Sequence, residues 1–225
     1  PIKLGAKEGL SLINGTQQMT GIGALTLLRA EETMDLADLI CATSLDGVLG
    51  TPKAYTDWVQ QTRPFPGQIQ TAKLLRTFME GSEIYHSHEN CDRVQDPYSF
   101  RCAPQVHGGV RELLTFVRHM LSIELNAATD NPLVNGETGE LISNGNFHGQ
   151  PVAFALDILG MAISELASLS ERRMAKLIDP GFSGLPTFLV KKEGLNSGFM
   201  MAQVTSAALV SENKLLSHPG STDSI

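Results

Sequence analysis

The sequence predicts a mainly α fold, a bundle of long helices with polar loops at their ends. Three observations carry this. Apolar residues recur at helical spacing through several long stretches. Clusters of Pro, Gly and Asn punctuate the chain between them. The first half of one stretch is so apolar that it has little room for a polar face.

From Thr16 to Val48, Met19, Ile22, Leu25, Leu28, Leu36, Leu39 and Ile40 follow a helical period, interrupted by Gly21, Gly23 and Glu31-Glu32. One long helix or two in tandem are expected. A loop with Pro52, Pro64 and Pro66 follows, then a short amphipathic helix from about Gln68 to Met79 carrying Ile69, Leu74, Leu75 and Phe78. Gly81 to Pro97 is polar and reads as a loop. From Gln105 to about Ala128, the spacing of Val106, Val110, Leu113, Leu114, Val117, Met120, Leu121 and Leu125 predicts a core-facing helix. Asp130-Asn131-Pro132 breaks it. Asn135-Gly136, Gly139 and Asn144-Gly145 mark turns, so Leu133 to Phe147 is expected as a compact loop or small hairpin.

The stretch from about Gln150 to Ile178 spans roughly 29 residues, ~43 Å at helical rise. Val152, Phe154, Ile158, Leu159, Met161, Ile163 and Leu166 fill its first half, which predicts burial on most sides. A Gly/Pro loop from Asp179 to Ser197 precedes a last helix from about Gly198 to Leu216, with Phe199, Met200, Met201, Val204, Leu209 and Val210.

Composition narrows the class. With 42% hydrophobic and 18% charged residues the chain is globular, and no uninterrupted apolar run approaches the ~20 residues of a membrane span, so no membrane partner is expected. A net charge of -7 argues against gripping phosphate backbones, so nucleic acid is not an expected partner. Cys41, Cys91 and Cys102 are odd in number and lack Cys-x-x-Cys spacing, which fits reduced thiols in a cytoplasmic protein. The chain begins at Pro1 and ends at Ser221-Thr222-Asp223-Ser224-Ile225, and a portion of something longer is expected.

The segment Gln95-Asp96-Pro97-Tyr98-Ser99-Phe100-Arg101 sets a phenol and a guanidinium three residues apart, beside an amide and a carboxylate. An Arg fork can take a substrate carboxylate bidentately, and a phenol can give or accept a proton once neighbouring cations stabilise its anion. Taken by itself the segment is also an ordinary polar helix-capping loop. Asn14-Gly15-Thr16 is also a turn with a Thr N-cap, and Asn131-Pro132 is also a plain turn. Asn144 to Gly149, with Phe147 and His148 between glycines, allows close approach to a ligand or simply closes a hairpin. His86 and His88 lack a third ligand at metal spacing, so solvated histidines are the expectation and no metal is. Gly21-Ile22-Gly23 fails as a dinucleotide loop. Glu171-Arg172-Arg173 and Glu212-Asn213-Lys214 read as solvated helix ends or ion pairs.

Taken in order, Lys7-Glu8-Gly9-Leu10 with Ile13-Asn14-Gly15-Thr16, Gln95 to Cys102, Thr129 to Leu133, Gly145-Asn146-Phe147-His148-Gly149, Ser170 to Arg173 and Gly194 to Phe199 resemble the aromatic amino acid ammonia-lyases. The match spans nearly the whole chain. Asn146 to Gly149, Tyr98 to Cys102 and Ser211-Glu212-Asn213-Lys214 look most like the members that act on L-histidine. The resemblance implies loss of ammonia from L-histidine to give trans-urocanate, with a methylidene-imidazolone electrophile made from an Ala-Ser-Gly tripeptide. Carried over by residue, Tyr98 and Asn14 would be catalytic, with Asn14 hydrogen-bonding around the electrophile. Arg101, Asn131 and Gln95 would hold the substrate's carboxylate and amine, and Phe147 would pack near electrophile and substrate.

This sequence contains no Ala-Ser-Gly. The upstream loop bearing a second tyrosine that competes with Tyr98 as β-proton base, and the downstream Gln-Glu-Asp-His segment, are missing as well. Residues 1–225 are therefore expected to be a central helical core, inactive by itself, with an electrophile-bearing part before it and a further part after it. The family's homotetramer, whose sites draw on three subunits, would cover the apolar face of Gln150 to Leu169. Two alternatives accompany this reading. One is a phenylalanine or tyrosine lyase or aminomutase of the same family; the other is a non-catalytic helical assembly protein.

Overall fold

The computed structural model describes residues 1–223; Ser224 and Ile225, the last two of the expected core portion, lie outside the described residues. Helices of 13 residues or more are α1 (Gln17–Gly47), α2 (Pro66–Phe78), α3 (Ala103–Glu124), α4 (Gln150–Leu177) and α5 (Met200–Leu216). The fold is mainly α, as the periodicity predicts. Pro66, Pro104 and Pro151 each occupy the first helical turn, where a missing N–H goes unmissed and a fixed φ suits the helix.

The core is a seam between three long helices. α1 contributes Leu27, Ala30, Met34 and Ala37, α3 contributes Val110, Leu114, Val117 and Leu121, and α4 contributes Val152, Ala155, Leu159, Ala162 and Leu166. Steps of three and four residues stack these on one face of each helix. Pairing Thr16 with Glu124 and Glu31 with Arg118 makes α1 and α3 antiparallel. α4 runs beside α1 in the same direction, and Gly23 is the residue that lets Leu156 approach: a Cβ there would lie 2.8 Å from Leu156 Cδ2. A second cluster, with Cys41, Leu45, Val48, Tyr55, Ala72, Leu75, Phe100 and Ala103, closes the end where α1 finishes and α3 begins. There α2 crosses α3 with backbones nearly touching, since a Cβ on Gly67 would lie 2.4 Å from the Gly108 carbonyl.

Between α3 and α4, β1 (Leu133–Val134) and β2 (Leu141–Ile142) form the expected hairpin, pairing Leu133 with Ile142 and Val134 with Leu141. The expected proline loop after α1 is partly helical, with a 3-10 turn at Pro52–Tyr55 and a short helix at Asp57–Gln61. The expected loop over 81–97 holds one helical turn, Glu83–His86, capped by Ser82. Such one-turn elements carry too few residues for a period to register.

Two further expectations are corrected. α4 is not buried on most sides: Phe154 and Met161 are 46% and 41% exposed. Burial inside one chain covers only the stripe that faces α1 and α3, and the rest of the apolar surface stays open. By length and composition α4 is also apolar enough to cross a membrane, although Asp157 and Glu165 interrupt its run, and Asp157 accepts a hydrogen bond from the Ser221 amide at 2.8 Å. The Glu171-Arg172-Arg173 segment is not a solvated helix end, for Glu171 is 3% and Arg173 2% exposed. Arg172 and Glu171 do form an ion pair.

Candidate active site

The six residues marked by the sequence fall into two groups at opposite ends of α3. Gln95, Tyr98 and Arg101 precede it, and Asn14, Asn131 and Phe147 gather beyond its far end. Twenty-two residues at a rise of 1.5 Å separate the groups by about 33 Å.

At the first end, Asp96 is 3% exposed and accepts from the Thr51 amide at 2.8 Å and from Arg93 at 3.3 Å. Arg93 also donates to the Val48 carbonyl at 2.9 Å and to the Phe182 carbonyl at 3.1 Å. This stapling fixes the strand of chain that carries Gln95. Pro97 then starts the helical turn Tyr98–Arg101, whose Ser99 and Phe100 side chains are buried and whose Tyr98 ring projects outward, 69% exposed. The Arg101 guanidinium lies over that ring, 4.5 Å from its centroid. Phenol and guanidinium therefore share one patch, and the cation stabilises electron density on the ring.

One turn further on, Gln105 Oε1 is buried without a partner, as is Arg101 Nε. A buried donor and a buried acceptor left over on successive turns are uncommon. In the sequence, only the i, i+4 relation of Gln105 to Arg101 points to it. A cavity of about 330 Å³ opens beside Arg101, lined by Gln95, Asp96, Pro97, Tyr98, Arg101 and Phe182.

At the other end, Asp130 gathers the polar groups. Lys7 Nζ pairs with its carboxylate, Ser11 Oγ donates to it at 2.7 Å, Asn14 Nδ2 at 3.2 Å and the Asn131 amide at 2.7 Å. Lys7 first, and Ser11 next, hold the Asp130 carboxyl well below the usual carboxylate range. Asn14 Nδ2 also reaches the Asn131 carbonyl at 3.4 Å. Asn131 Oδ1 in turn accepts from the Asn144 amide at 2.7 Å, which ties the loop before α4 into the same cluster.

Gly15 makes this convergence possible. A Cβ there would lie 2.2 Å from the Thr129 carbonyl. Gly149 packs against Met19 by the same device, since a Cβ there would lie 2.7 Å from the Met19 sulfur, and so brings the Phe147 loop to the start of α1. Thr16 stands at the N-cap position without a side-chain capping bond; its hydroxyl goes to Glu124 instead, at 2.5 Å. An open cavity of about 930 Å³ lies against this cluster, bounded by Lys7, Ser11, Thr16, Glu124 and Asp130.

His86 pairs with Glu89 at 2.7 Å, and the His88 ring sits between the Ile84 carbonyl, 2.7 Å from Nδ1, and the Gly50 carbonyl, 3.1 Å from Nε2, one of which a neutral imidazole can donate to. His88 is thus a structural link and not the solvated residue expected. Among the described residues Cys41 is buried, Cys91 exposed, and all three thiols are free.

The family model for aromatic amino acid lyases matches residues 1–225. A histidine ammonia-lyase of Anaeromyxobacter dehalogenans (strain 2CP-C) is 57% identical over 227 residues, covering 100% of this chain and 45% of the relative. One from Caenorhabditis elegans is 52% identical, covering 100% of this chain and 34% of the relative. Among solved structures, the histidine ammonia-lyase from Trypanosoma cruzi superposes with a TM-score of 0.89 at 46% identity, over 100% of this chain and 42% of that one. A tyrosine aminomutase from Streptomyces globisporus gives 0.91 at 41% identity, over 100% and 46%. The chain thus spans less than half the length of these relatives.

Proposed function

We propose, because this chain belongs to the aromatic amino acid lyase family, that the whole protein is a histidine ammonia-lyase, converting L-histidine to trans-urocanate and ammonia. The C–N bond breaks, a β-proton leaves and a carbon–carbon double bond forms, with no oxidant consumed. The observation that carries the reading is the Arg101 guanidinium, stacked on Tyr98 with a buried, unpartnered Nε and sharing a cavity with Gln95. A planar fork with a free donor suits the substrate carboxylate, and the phenol beside it suits proton transfer.

In this reading Arg101 and Gln95 bind and orient the amino acid, and Tyr98 holds or moves a proton. The cofactor is methylidene-imidazolone, which would act as the electrophile that makes the amine a better leaving group. Its Ala-Ser-Gly precursor does not occur in these 225 residues, so this chain supplies surroundings for it. Asn14 fits that role: its amide is neutral, its Nδ2 is oriented by Asp130 and Asn131, and its Oδ1 takes no bond among the described residues. Phe147, 42% exposed, offers a ring to pack beside the same group. Asn131 would help hold the substrate.

The two residue groups lie about 33 Å apart along α3, too far to meet around one small amino acid. Assembly of several copies, in this reading a homotetramer, would bring one copy's Arg101 end to another's Asn14 end and cover the exposed face of α4. Free thiols fit a cytoplasmic setting.

The test is turnover by the complete protein, following ammonia and the conjugated acrylate product. Arg101→Ala should chiefly raise KM for L-histidine, and Tyr98→Phe should lower kcat by ~100-fold or more. Parent-rate turnover by Tyr98→Phe would overturn the role given to that phenol. The likeness to a tyrosine aminomutase favours one second reading within the family. Conversion of tyrosine or phenylalanine in place of histidine, to the acrylate with release of ammonia or to the β-amino acid without it, would establish it.

A further inference from the structure

Beneath the Tyr98–Arg101 turn runs a chain of charged groups that the reaction does not itself require. Arg173, on α4 and 2% exposed, donates through Nη1 to the Ser99 carbonyl at 3.2 Å and to His107 Nε2 at 3.2 Å. A guanidinium can only donate, so Nε2 is the acceptor and the imidazole proton sits on Nδ1. His107, on α3 and fully buried, then donates from Nδ1 to Asp38 Oδ1 at 2.6 Å. Asp38, on α1, accepts from Arg111 Nη2 at 2.5 Å through its other oxygen. Three helices thus each supply a link, and the line ends on a backbone carbonyl inside the turn.

A second anchor stands beside the first. Pro104 removes the N–H that the Phe100 carbonyl would meet four residues on, and Tyr55 Oη donates to that carbonyl at 2.8 Å from full burial. Two consecutive carbonyls, Ser99 and Phe100, are therefore clamped from below while the side chains of Tyr98 and Arg101 work above. Buried ionic groups are a weak source of stability, because desolvation offsets their attraction. Arg173 also leaves Nε and Nη2 without partners. A buried guanidinium kept on such terms needs a reason beyond stability.

We propose that Arg173, oriented through His107 by Asp38, and Tyr55 are positioning residues that hold the Tyr98–Arg101 turn in its working geometry. The proposal rests on the reading of Tyr98 and Arg101 as groups that meet the substrate. Displacing such groups by about 1 Å costs ~100-fold in rate.

The experiment compares the complete protein with Arg173→Met, Arg173→Lys, Tyr55→Phe and Arg101→Ala, using L-histidine. Arg173→Met keeps the apolar stem and leaves Asp38 paired with Arg111, so no carboxylate is stranded. It should keep parent helix content while kcat/KM falls about 10- to 100-fold, with kcat lowered and KM raised together. Arg173→Lys should recover part of the loss, and Tyr55→Phe should cost a few-fold. Parent kcat and KM in Arg173→Met would overturn the inference, as would a loss that lysine does not relieve. If Arg173→Met fails to fold, Tyr55→Phe decides: it deletes one oxygen and no charge, and unchanged kinetics there overturns the clamp. Parent-like turnover by Arg101→Ala would sink the functional reading of the turn itself. A fall in Arg101→Ala without one in Arg173→Met sinks the positioning role alone.

Discussion

The Arg101 end and the Asn14 end of the bundle are held by opposite means. At the first, three helices converge on a fully buried Asp38–His107 pair and two carbonyl clamps. At the second, Lys7, Ser11 and Asn14 reach across to Asp130 from a short segment before α1 that buries none of its own helical residues. One end is therefore part of the global core; the other is a local cluster docked on it. Opening of the docked cluster is a small, separate event, whereas the Arg101 end opens only when the bundle does.

The largest test of that contrast is Asp38→Asn. It takes the buried negative charge from His107 and leaves Arg111 only the exposed Asp35, and should destabilise the whole fold by ~3–5 kcal/mol, read by denaturant unfolding. Gly108→Ala comes next: its Cβ would lie 2.4 Å from the Gln68 amide nitrogen, and forcing α2 away from α3 should cost ~1–3 kcal/mol, again globally. Gly15→Ala meets the Thr129 carbonyl as closely but should act locally. Hydrogen exchange would quicken over residues 7–16, with little change in α3. A global loss there would erase the distinction between the ends.

The gentlest test is acid. Burial first, then Arg173, pushes the His107 imidazole down, against the pull of its Asp38 bond. A histidine lowered in the fold contributes stability above its unfolded value of about 6.5 and loses it as pH falls below that. Asp130 is depressed too, and its contribution holds above an unfolded value of about 4 and fades only below it. The core end should thus weaken at milder acid than the docked end. Amide exchange across pH 3–7 would reveal two thresholds. A single shared one would break the comparison.

Sequence periodicity reached the long helices to within a few residues, but on α1 the apolar residues that mark the period, Ile22, Leu25, Leu28, Leu36, Leu39 and Ile40, lie on the open face, while Leu27, Ala30, Met34 and Ala37 form the buried stripe. It could not reach the one-turn helices, nor the open surface of α4, since apolarity reports that a face is covered without saying by what. The chemistry of Gln95, Tyr98 and Arg101 and the family resemblance together mark the six residues, and the structure adds that they form two groups. Arg173 carries no sequence signal of burial because its partners, His107 and Ser99, lie 66 and 74 residues away. His107 has no sequence signal: on α3 it occupies an ordinary core position, and only the fold brings Asp38 and Arg173 to its two nitrogens.

α3 is also a ruler. It fixes how far Arg101 stands from Asn131 and at what angle, since each residue adds about 1.5 Å and about 100° of turn. Removing one residue from its middle would swing one group around the rod by more than a quarter circle while barely shortening it. Lengthening the hairpin tip at 135–139 would disturb neither measure. Natural variation in length should therefore collect in that hairpin and spare the rod.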